Sequence, residues 1–388
     1  MSELIYLDHN ATTPLAPEIA REMEPFGGSR FGNPSSPHRL GREAAEAMAV
    51  ARDRVASALG CVSKEIVFTS GGTEADNAAL IGAWLARPER PHVVVTVVEH
   101  PAILETADWL ETRGARITRL AVDGEGRLDL AELRAAVTDA TSIVSIMHVN
   151  NETGVRFPIA EAAEIAREKG ALFHTDAVQS IGRLDPEELA GADLVTISGH
   201  KLHGPKGVGA LKVRTGTPWL PTVFGGGQQR GRRSGTENVP GVVGLGVACE
   251  RAERLRPDVA PRLTSLRDRL ERRITSELTG VFVHGAGAPR APHTSNLGFE
   301  EIEAEALLIL LDDAGICASS GSACASGAAK PSHVLRAMNL PFAQLHGSIR
   351  FSLGAETTEA EIDRAAQVVI EKVRKLRALS PFSDPIER

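Results

Sequence analysis

Long apolar runs are missing from this chain of 388 residues. No stretch approaches the roughly 20 residues that a membrane-spanning helix needs. The start, Met1-Ser2-Glu3-Leu4-Ile5-Tyr6, carries neither a basic leader nor an extended apolar segment, so no signal peptide is read and a cytoplasmic location is expected. A basic excess is missing too: a formal net charge of -7 and a pI near 6.0 lend no support to nucleic-acid binding. Cysteine is scarce. Cys61, Cys249, Cys317 and Cys324 are widely spread and form no C-x-x-C pair, which argues against a disulfide framework and against a zinc site. A metal set drawn from His200, His203, Cys317 and Cys324 would lack any recognised ligand spacing. Cys61 and Cys249 read instead as small buried apolar residues. Internal repeats and low-complexity tracts are absent as well.

What is present is the composition of an ordinary soluble globular protein, 42% hydrophobic and 24% charged, on a chain long enough for two domains. Short β-rich runs at 66–69, 93–98, 117–122, 143–149, 171–174, 194–197 and 208–213 alternate with helical patterns. In 158–169, Ile159, Ala162, Ala163 and Ala166 share one face, Pro158 opens the first turn and Gly170 closes the last. Such alternation predicts an α/β fold, a mostly parallel sheet covered by helices on both faces. Beyond about residue 250 the character changes. The charged run 250–278 reads as a long, partly exposed helix or helix pair leading to a second domain, with strands near 295–299 and 348–353 and helices at 303–314 and 331–338. A last helix starts at Thr358, where Glu361 completes a capping-box pattern. The strand Tyr6-Leu7-Asp8 could pair with either domain.

Chemistry enters at Ser198-Gly199-His200-Lys201, which follows the apolar run Asp193-Leu194-Val195-Thr196-Ile197 and precedes Gly204-Pro205-Lys206-Gly207. A lysine at the end of a buried strand can hold a cofactor aldehyde, and pyridoxal phosphate is the cofactor that needs this. Upstream, the strand Ala171-Leu172-Phe173-His174 ends in Asp176, with Gln179 three residues on, presenting a carboxylate where open α/β sheets bind ligands. Such an anion would keep a pyridine nitrogen protonated. An anion site is offered by Ile66-Val67-Phe68-Thr69, the turn Ser70-Gly71-Gly72-Thr73 and a helix from Glu74, where the amides of Gly72 and Thr73 stand at a positive helix terminus. His100 and Asn150-Asn151-Glu152-Thr153-Gly154 close two further strands on the same sheet edge, and an imidazole there could stack on a planar ring and move protons.

These segments, with Tyr6-Leu7-Asp8 and Ala11-Thr12-Thr13-Pro14, Phe31-Gly32-Asn33-Pro34-Ser35-Ser36, Arg233-Ser234-Gly235-Thr236 and Ser320-Gly321-Ser322-Ala323-Cys324 in one order, closely resemble the pyridoxal-phosphate-dependent cysteine desulfurases of the NifS/IscS type. The resemblance spans essentially the whole chain. It implies the aspartate-aminotransferase-like, class V fold of PLP-dependent transferases, with a large domain (15–255) built on a mostly parallel seven-stranded sheet. A smaller α/β domain would comprise 1–14 and 256–388 and carry a mobile cysteine loop at about 318–330. It also implies a homodimer with shared active sites. Carried over motif by motif, Lys201 would bind the cofactor covalently, Asp176 would pair with the ring nitrogen, His100 would stack on the ring and Gln179 would approach its hydroxyl. Gly72, Thr73, Ser198 and His200 would hold the phosphate, with Thr236 reaching in from the partner subunit. Asn33, Asn151 and Arg350 would orient the substrate carboxylate, Arg350 through a bidentate guanidinium, and Asn151 would also lie against the cofactor.

Cys324 decides among reactions. It lies in a run of small residues with two glycines and little to pack, which predicts a segment able to visit two places. A thiolate there can take the sulfur of a bound cysteine as a persulfide and hand it on. Cys317, in the apolar Gly315-Ile316-Cys317-Ala318, reads as its buried counterpart. The expected reaction converts L-cysteine to L-alanine, with an iron-sulfur scaffold or sulfur-carrier protein receiving the sulfur. A selenocysteine lyase or a small amino-acid aminotransferase is the alternative on the same scaffold, and an aminotransferase would not need Cys324. A cofactor-binding docking partner without activity would have no reason to keep Lys201, Asp176, His100 and Cys324 together.

Overall fold

The computed structural model describes residues 4–320 and 332–379; Cys324 and Pro331 lie outside the described residues. Seven strands form the central sheet: β2 (Ile66–Thr69), β3 (His92–Thr96), β4 (Arg116–Leu120), β5 (Thr141–Ser145), β6 (Leu172–Asp176), β7 (Leu194–Ser198) and β8 (Gly209–Val213). Their order is β2-β8-β7-β6-β5-β3-β4, and only β8 runs against its neighbours. Alternation along the strands explains why both faces are covered. Val94, Val144, Phe173, Val195 and Ala210 point into one apolar cluster, whereas Val93, Val95, Ile143, Leu172, Leu194 and Leu211 point into another on the opposite face. A helix at Gly72–Leu85 packs across the second face, over β5, β6, β7 and β8.

Strand boundaries differ from the sequence expectation for a topological reason. The run 143–149 was expected to stay a strand to its end, but the ladder of β5 stops at Ser145, because β3 has by then turned away toward His100. Beyond it the backbone ladder continues on the β6 side, Ile146 N donating to His174 O at 3.1 Å and His148 N to Asp176 O at 2.9 Å. This one-sided opening forms the crevice.

A third apolar cluster gathers Ile5, Leu7, Leu263, Leu270, Phe299, Leu307, Ile349, Phe351 and Val369. Around it lie β9 (Val281–Val283), β10 (Thr294–Phe299) and β12 (Ser348–Ser352) in one antiparallel sheet, and β1 (Ile5–Tyr6) paired in parallel with β11 (Ile316–Cys317). The sequence left the partner of the first strand open; β1 joins this third cluster, and Asp8 bridges Ser352. Between the clusters runs a single helix of 39 residues, Val239–Glu277. It starts well before residue 250 because the Asn238 side chain caps it at Gly241 N (3.0 Å) and its first turns are apolar all round, hiding the helical period. The last helix, Glu359–Leu379, is opened by a reciprocal capping box: Glu361 N donates to Thr358 Oγ1 (3.3 Å) and Thr358 N to Glu361 Oε2 (2.7 Å). No described helix is long and apolar enough to cross a membrane.

Cys249 is buried as expected, but Cys61 and Cys317 are only half-buried. Cys61 follows the left-handed turn at Gly60 that ends its helix, and Cys317 closes the two-stranded edge. Burial pushes the Cys61 thiol up to about 11 and that of Cys249 to about 12, and raises that of Cys317 as well.

Candidate active site

Five strand ends open on one crevice, each delivering a different chemical group. After β2 the chain turns through Gly71 into the helix Gly72–Leu85, so the amides of Gly72 and Thr73 stand unpaired at a helix N-terminus, an anion-attracting position. A side chain at Gly72 would press on its neighbours, its Cβ meeting Val178 Cγ2 at 3.2 Å and Ser198 Cβ at 3.5 Å. Glu74 braces the turn: Oε2 accepts from Ser70 N at 2.9 Å, while Arg233 Nε donates to Oε1 at 2.8 Å. That ion pair ties in the segment carrying Thr236, which is exposed.

After β3, His100 caps the helix Pro101–Glu111, with Nδ1 accepting from Ala102 N at 3.1 Å. The neutral ring therefore carries its proton on Nε2. Burial lowers its pKa, the charge of Asp176 pulls the other way, and Lys201 and His333 lower it further. A cleft of about 450 Å³ opens beside it, lined by Thr73, Asn77, His100 and Trp109 among others.

Asp176 is the last residue of β6 and is buried, with Val178 N donating to Oδ1 at 2.9 Å. Burial raises its pKa, while His100, the Val178 amide and Lys201 act against the rise. Beneath it on the same strand face, His174 spans Ser145 Oγ (2.8 Å from Nδ1) and Thr196 Oγ1 (3.0 Å from Nε2), and burial holds it down to about 3. Asp76, from the overlying helix, is fully enclosed and its pKa is raised by burial and then by the nearby charge of Asp176. Asp176 is thus the member of this buried pair of acids that faces His100 and Lys201.

Lys201 ends a short 3-10 turn after β7, and its Nζ donates to the carbonyls of Asn10 and Ala11, the latter at 2.7 Å. The Lys201 carbonyl is held by Arg183 NH2 at 3.1 Å, and Arg183 NH1 also donates to Gln179 O at 3.3 Å. Gln179 Nε2 donates to Asn10 O at 3.1 Å, and its buried Oε1 has no donor among the described residues. Ser198 is buried at the end of β7, and His200 Nδ1 lies 3.1 Å from Thr12 Oγ1, its pKa pushed down to about 4 by burial and then by Lys201 and Lys206.

Arg350 comes from β12 on the other side of the crevice. It is buried, NH2 donating to Asp8 Oδ1 at 2.8 Å and NH1 to the Asn151 carbonyl at 3.0 Å, with Nε lacking an acceptor among the described residues. Asn151 contributes its backbone here. The turn is organised by Asn150, whose Oδ1 accepts from Glu152 N at 2.9 Å and Thr153 N at 3.0 Å, while its Nδ2 donates to Val98 O at 3.1 Å. Asn33 is exposed, its Oδ1 accepting from Ser35 N at 2.9 Å, and no described contact joins Asn33 or Thr236 to the cluster in one chain.

Asp8, Asn10, Glu99 and Arg183 were not singled out from sequence. Asp8 and Asn10 lie in and between Tyr6-Leu7-Asp8 and Ala11-Thr12-Thr13-Pro14, so an acid and an amide there were a usable signal. Glu99 and Arg183 act through backbone and strand-end contacts that spacing does not reveal.

A family model described as aminotransferase class V matches residues 5–365. The chain is 52% identical over 383 residues to a protein of Trichormus azollae named cysteine desulfurase, covering 98% of this chain and 96% of that one. It is 47% identical over 389 residues to the Azotobacter vinelandii protein named cysteine desulfurase NifS, covering 99% and 96%. Among solved structures, one described as a NifS-like protein superposes with a TM-score of 0.88 at 36% identity, covering 96% of this chain and all of the other.

Proposed function

Because the chain belongs to the class V aminotransferase family, within its NifS-type cysteine desulfurases, we propose that it converts L-cysteine to L-alanine and collects the sulfur on Cys324. The observation that carries this reading is the convergence of Lys201, Asp176 and His100, from the ends of β7, β6 and β3 on one sheet edge, opposite a buried guanidinium suited to an amino-acid carboxylate.

The residues present fit pyridoxal phosphate. Gln179 Oε1 is a buried acceptor lacking a donor, as a ring hydroxyl would supply, and Asp176 is a buried carboxylate in need of a cation, as a protonated ring nitrogen would supply. The helix terminus at Gly72 and Thr73, with Ser198 and neutral His200, forms a cradle for a phosphate, to which Thr236 of a second subunit would add a hydroxyl. When bound, the cofactor supplies an electrophilic aldehyde and a ring that accepts negative charge from a substrate's α-carbon.

Each protein group then has a defined task. Asp176 would keep the ring nitrogen protonated and His100 would cover the ring face. Lys201 Nζ would tether the cofactor and would take the α-proton. Arg350 binds the substrate carboxylate, with Asn33 and Asn151 completing that subsite. The Cys324 thiolate attacks the substrate sulfur, so that an S–S bond forms as the C–S bond breaks. The β-carbon gains a proton and the α-carbon regains the one that Lys201 took, so the products are alanine and a persulfide on Cys324; an iron-sulfur scaffold or carrier protein would receive the sulfur.

Incubation of the PLP-loaded protein with L-cysteine, followed by quantification of alanine and the mass of the Cys324 peptide, tests the proposal. One alanine per added sulfur atom on that peptide is expected. Alanine without any mass increase there, or pyruvate in its place, would overturn it.

A further inference from the structure

Glu99 is completely buried, yet it carries an acid immediately before the ring-side histidine. Its Oε1 accepts from Thr96 Oγ1 at 2.7 Å and from Met147 N at 3.0 Å, and Oε2 lies 3.1 Å from the same amide. These bonds stitch the end of β3 to the chain leaving β5, at the point where the two strands have parted and no ladder bond holds them. The Glu99 carbonyl, in turn, accepts from His333 Nε2 at 3.0 Å. The short segment between Thr96 and Pro101 is therefore fixed by both polar ends of one residue.

We infer that Glu99 is a positioning residue for His100: its carboxyl, clamped between the Thr96 hydroxyl and the Met147 amide, sets the turn that holds the imidazole beside Asp176 and Lys201. The geometric part of this inference stands alone; the part that concerns turnover rests on the function proposed above.

The clamp needs an acceptor, not a charge. The ionisable groups facing this carboxyl are Asp176 at the end of β6 and Asp76 of the helix Gly72–Leu85, both acids; Lys201 faces His100, and His333 reaches Glu99 at its backbone carbonyl rather than at the carboxyl. Burial, and then the charge of Asp176, push the Glu99 pKa up to about 8, against the Thr96 and Met147 bonds. At neutral pH the residue is an uncharged acid. Glutamine reproduces that state, since its single Oε1 can accept from both Thr96 and Met147. Above about pH 8 the wild-type carboxyl ionises next to His100 and raises the proton affinity of the imidazole.

Three proteins test this: wild type, Glu99→Gln and Glu99→Leu, the last filling the space without an acceptor. In the cofactor-free chain, amide exchange at Met147 and Ala102 should quicken in Glu99→Leu and stay at the wild-type rate in Glu99→Gln. In the holoenzyme, Glu99→Leu should lose about a hundredfold in turnover of L-cysteine, the cost of a misplaced catalytic group, and Glu99→Gln should regain most of it at pH 7. The pH titration of the visible cofactor band should show a step near pH 8 in wild type that is missing in Glu99→Gln. Wild-type exchange at Ala102 and wild-type turnover in Glu99→Leu would overturn the inference, as would a Glu99→Gln protein as impaired as Glu99→Leu. Should Glu99→Leu fail to fold, Thr96→Val, which removes one jaw of the clamp, decides instead: exchange at Ala102 at the wild-type rate together with wild-type turnover would overturn the inference. A wild-type protein inert toward L-cysteine would instead sink the proposed function, and the exchange comparison would still decide the role of Glu99.

Discussion

Arg350 meets a carboxylate before any substrate arrives. Its guanidinium is paired with Asp8, and the two side chains are 4% and 18% exposed, so neither is well hydrated. Two substitutions should therefore behave alike in stability and oppositely in binding. Arg350→Ala strands Asp8 and frees the Asn151 carbonyl, and breaking a buried pair from one side costs about 3 to 5 kcal/mol. It also removes the charge-assisted bonds to an amino-acid carboxylate, worth about 1.5 to 3 kcal/mol, or roughly 10- to 150-fold in affinity. Asp8→Asn keeps an acceptor near NH2 but removes the competing charge. Stability should drop as a cation loses its partner, yet L-cysteine should bind more tightly, because its carboxylate no longer competes with the Asp8 charge for the guanidinium. Urea unfolding and KM for L-cysteine, measured on both variants, give the four numbers needed. If Asp8→Asn weakens cysteine binding as much as Arg350→Ala does, Asp8 is part of the subsite rather than its competitor, and the reasoning fails.

Further outcomes are expected. Lys201→Ala should bind pyridoxal phosphate without a covalent link, so that borohydride reduction no longer adds the cofactor mass to the chain; continued labelling would relocate the tether. Cys324→Ser should retain cofactor and cysteine binding but form no persulfide, and undiminished sulfide release with dithiothreitol would count against its role. His174, held to about 3 by burial, stays neutral in the fold while an unfolded histidine charges near 6.5. The stability it contributes is complete above about pH 6.5 and drains as pH falls toward 3, at about 1.4 kcal/mol per pH unit. His174→Asn, which can still donate and accept, should flatten that part of the acid profile in urea titrations at pH 7, 5 and 4; parallel profiles would show that the proton uptake lies elsewhere.

Strand-period runs ending in Asp176, His100 and Lys201 made the sheet and its edge legible, because a buried parallel strand leaves an unbroken apolar signature and its chemistry follows at the C-terminal end. The point where β5 stops was not legible, since the apolar run continues to Val149 while the ladder ends with its neighbour's departure. Arg350 was readable as a carboxylate binder, but its pairing with Asp8 spans 342 positions and leaves no local trace. The start of the helix Val239–Glu277 was hidden for the opposite reason: a segment buried on every side has no amphipathic period to detect.

That helix has a mechanical meaning. Its first half is buried in the cluster around Val242, Leu245 and Cys249, and its second half in the cluster around Leu263, Leu270 and Ile274. One rod serves as a load-sharing beam between two cores, so neither can melt without fraying an element the other depends on. Denaturation should then run as one concerted transition, and a nick placed midway along the beam should uncouple it into two.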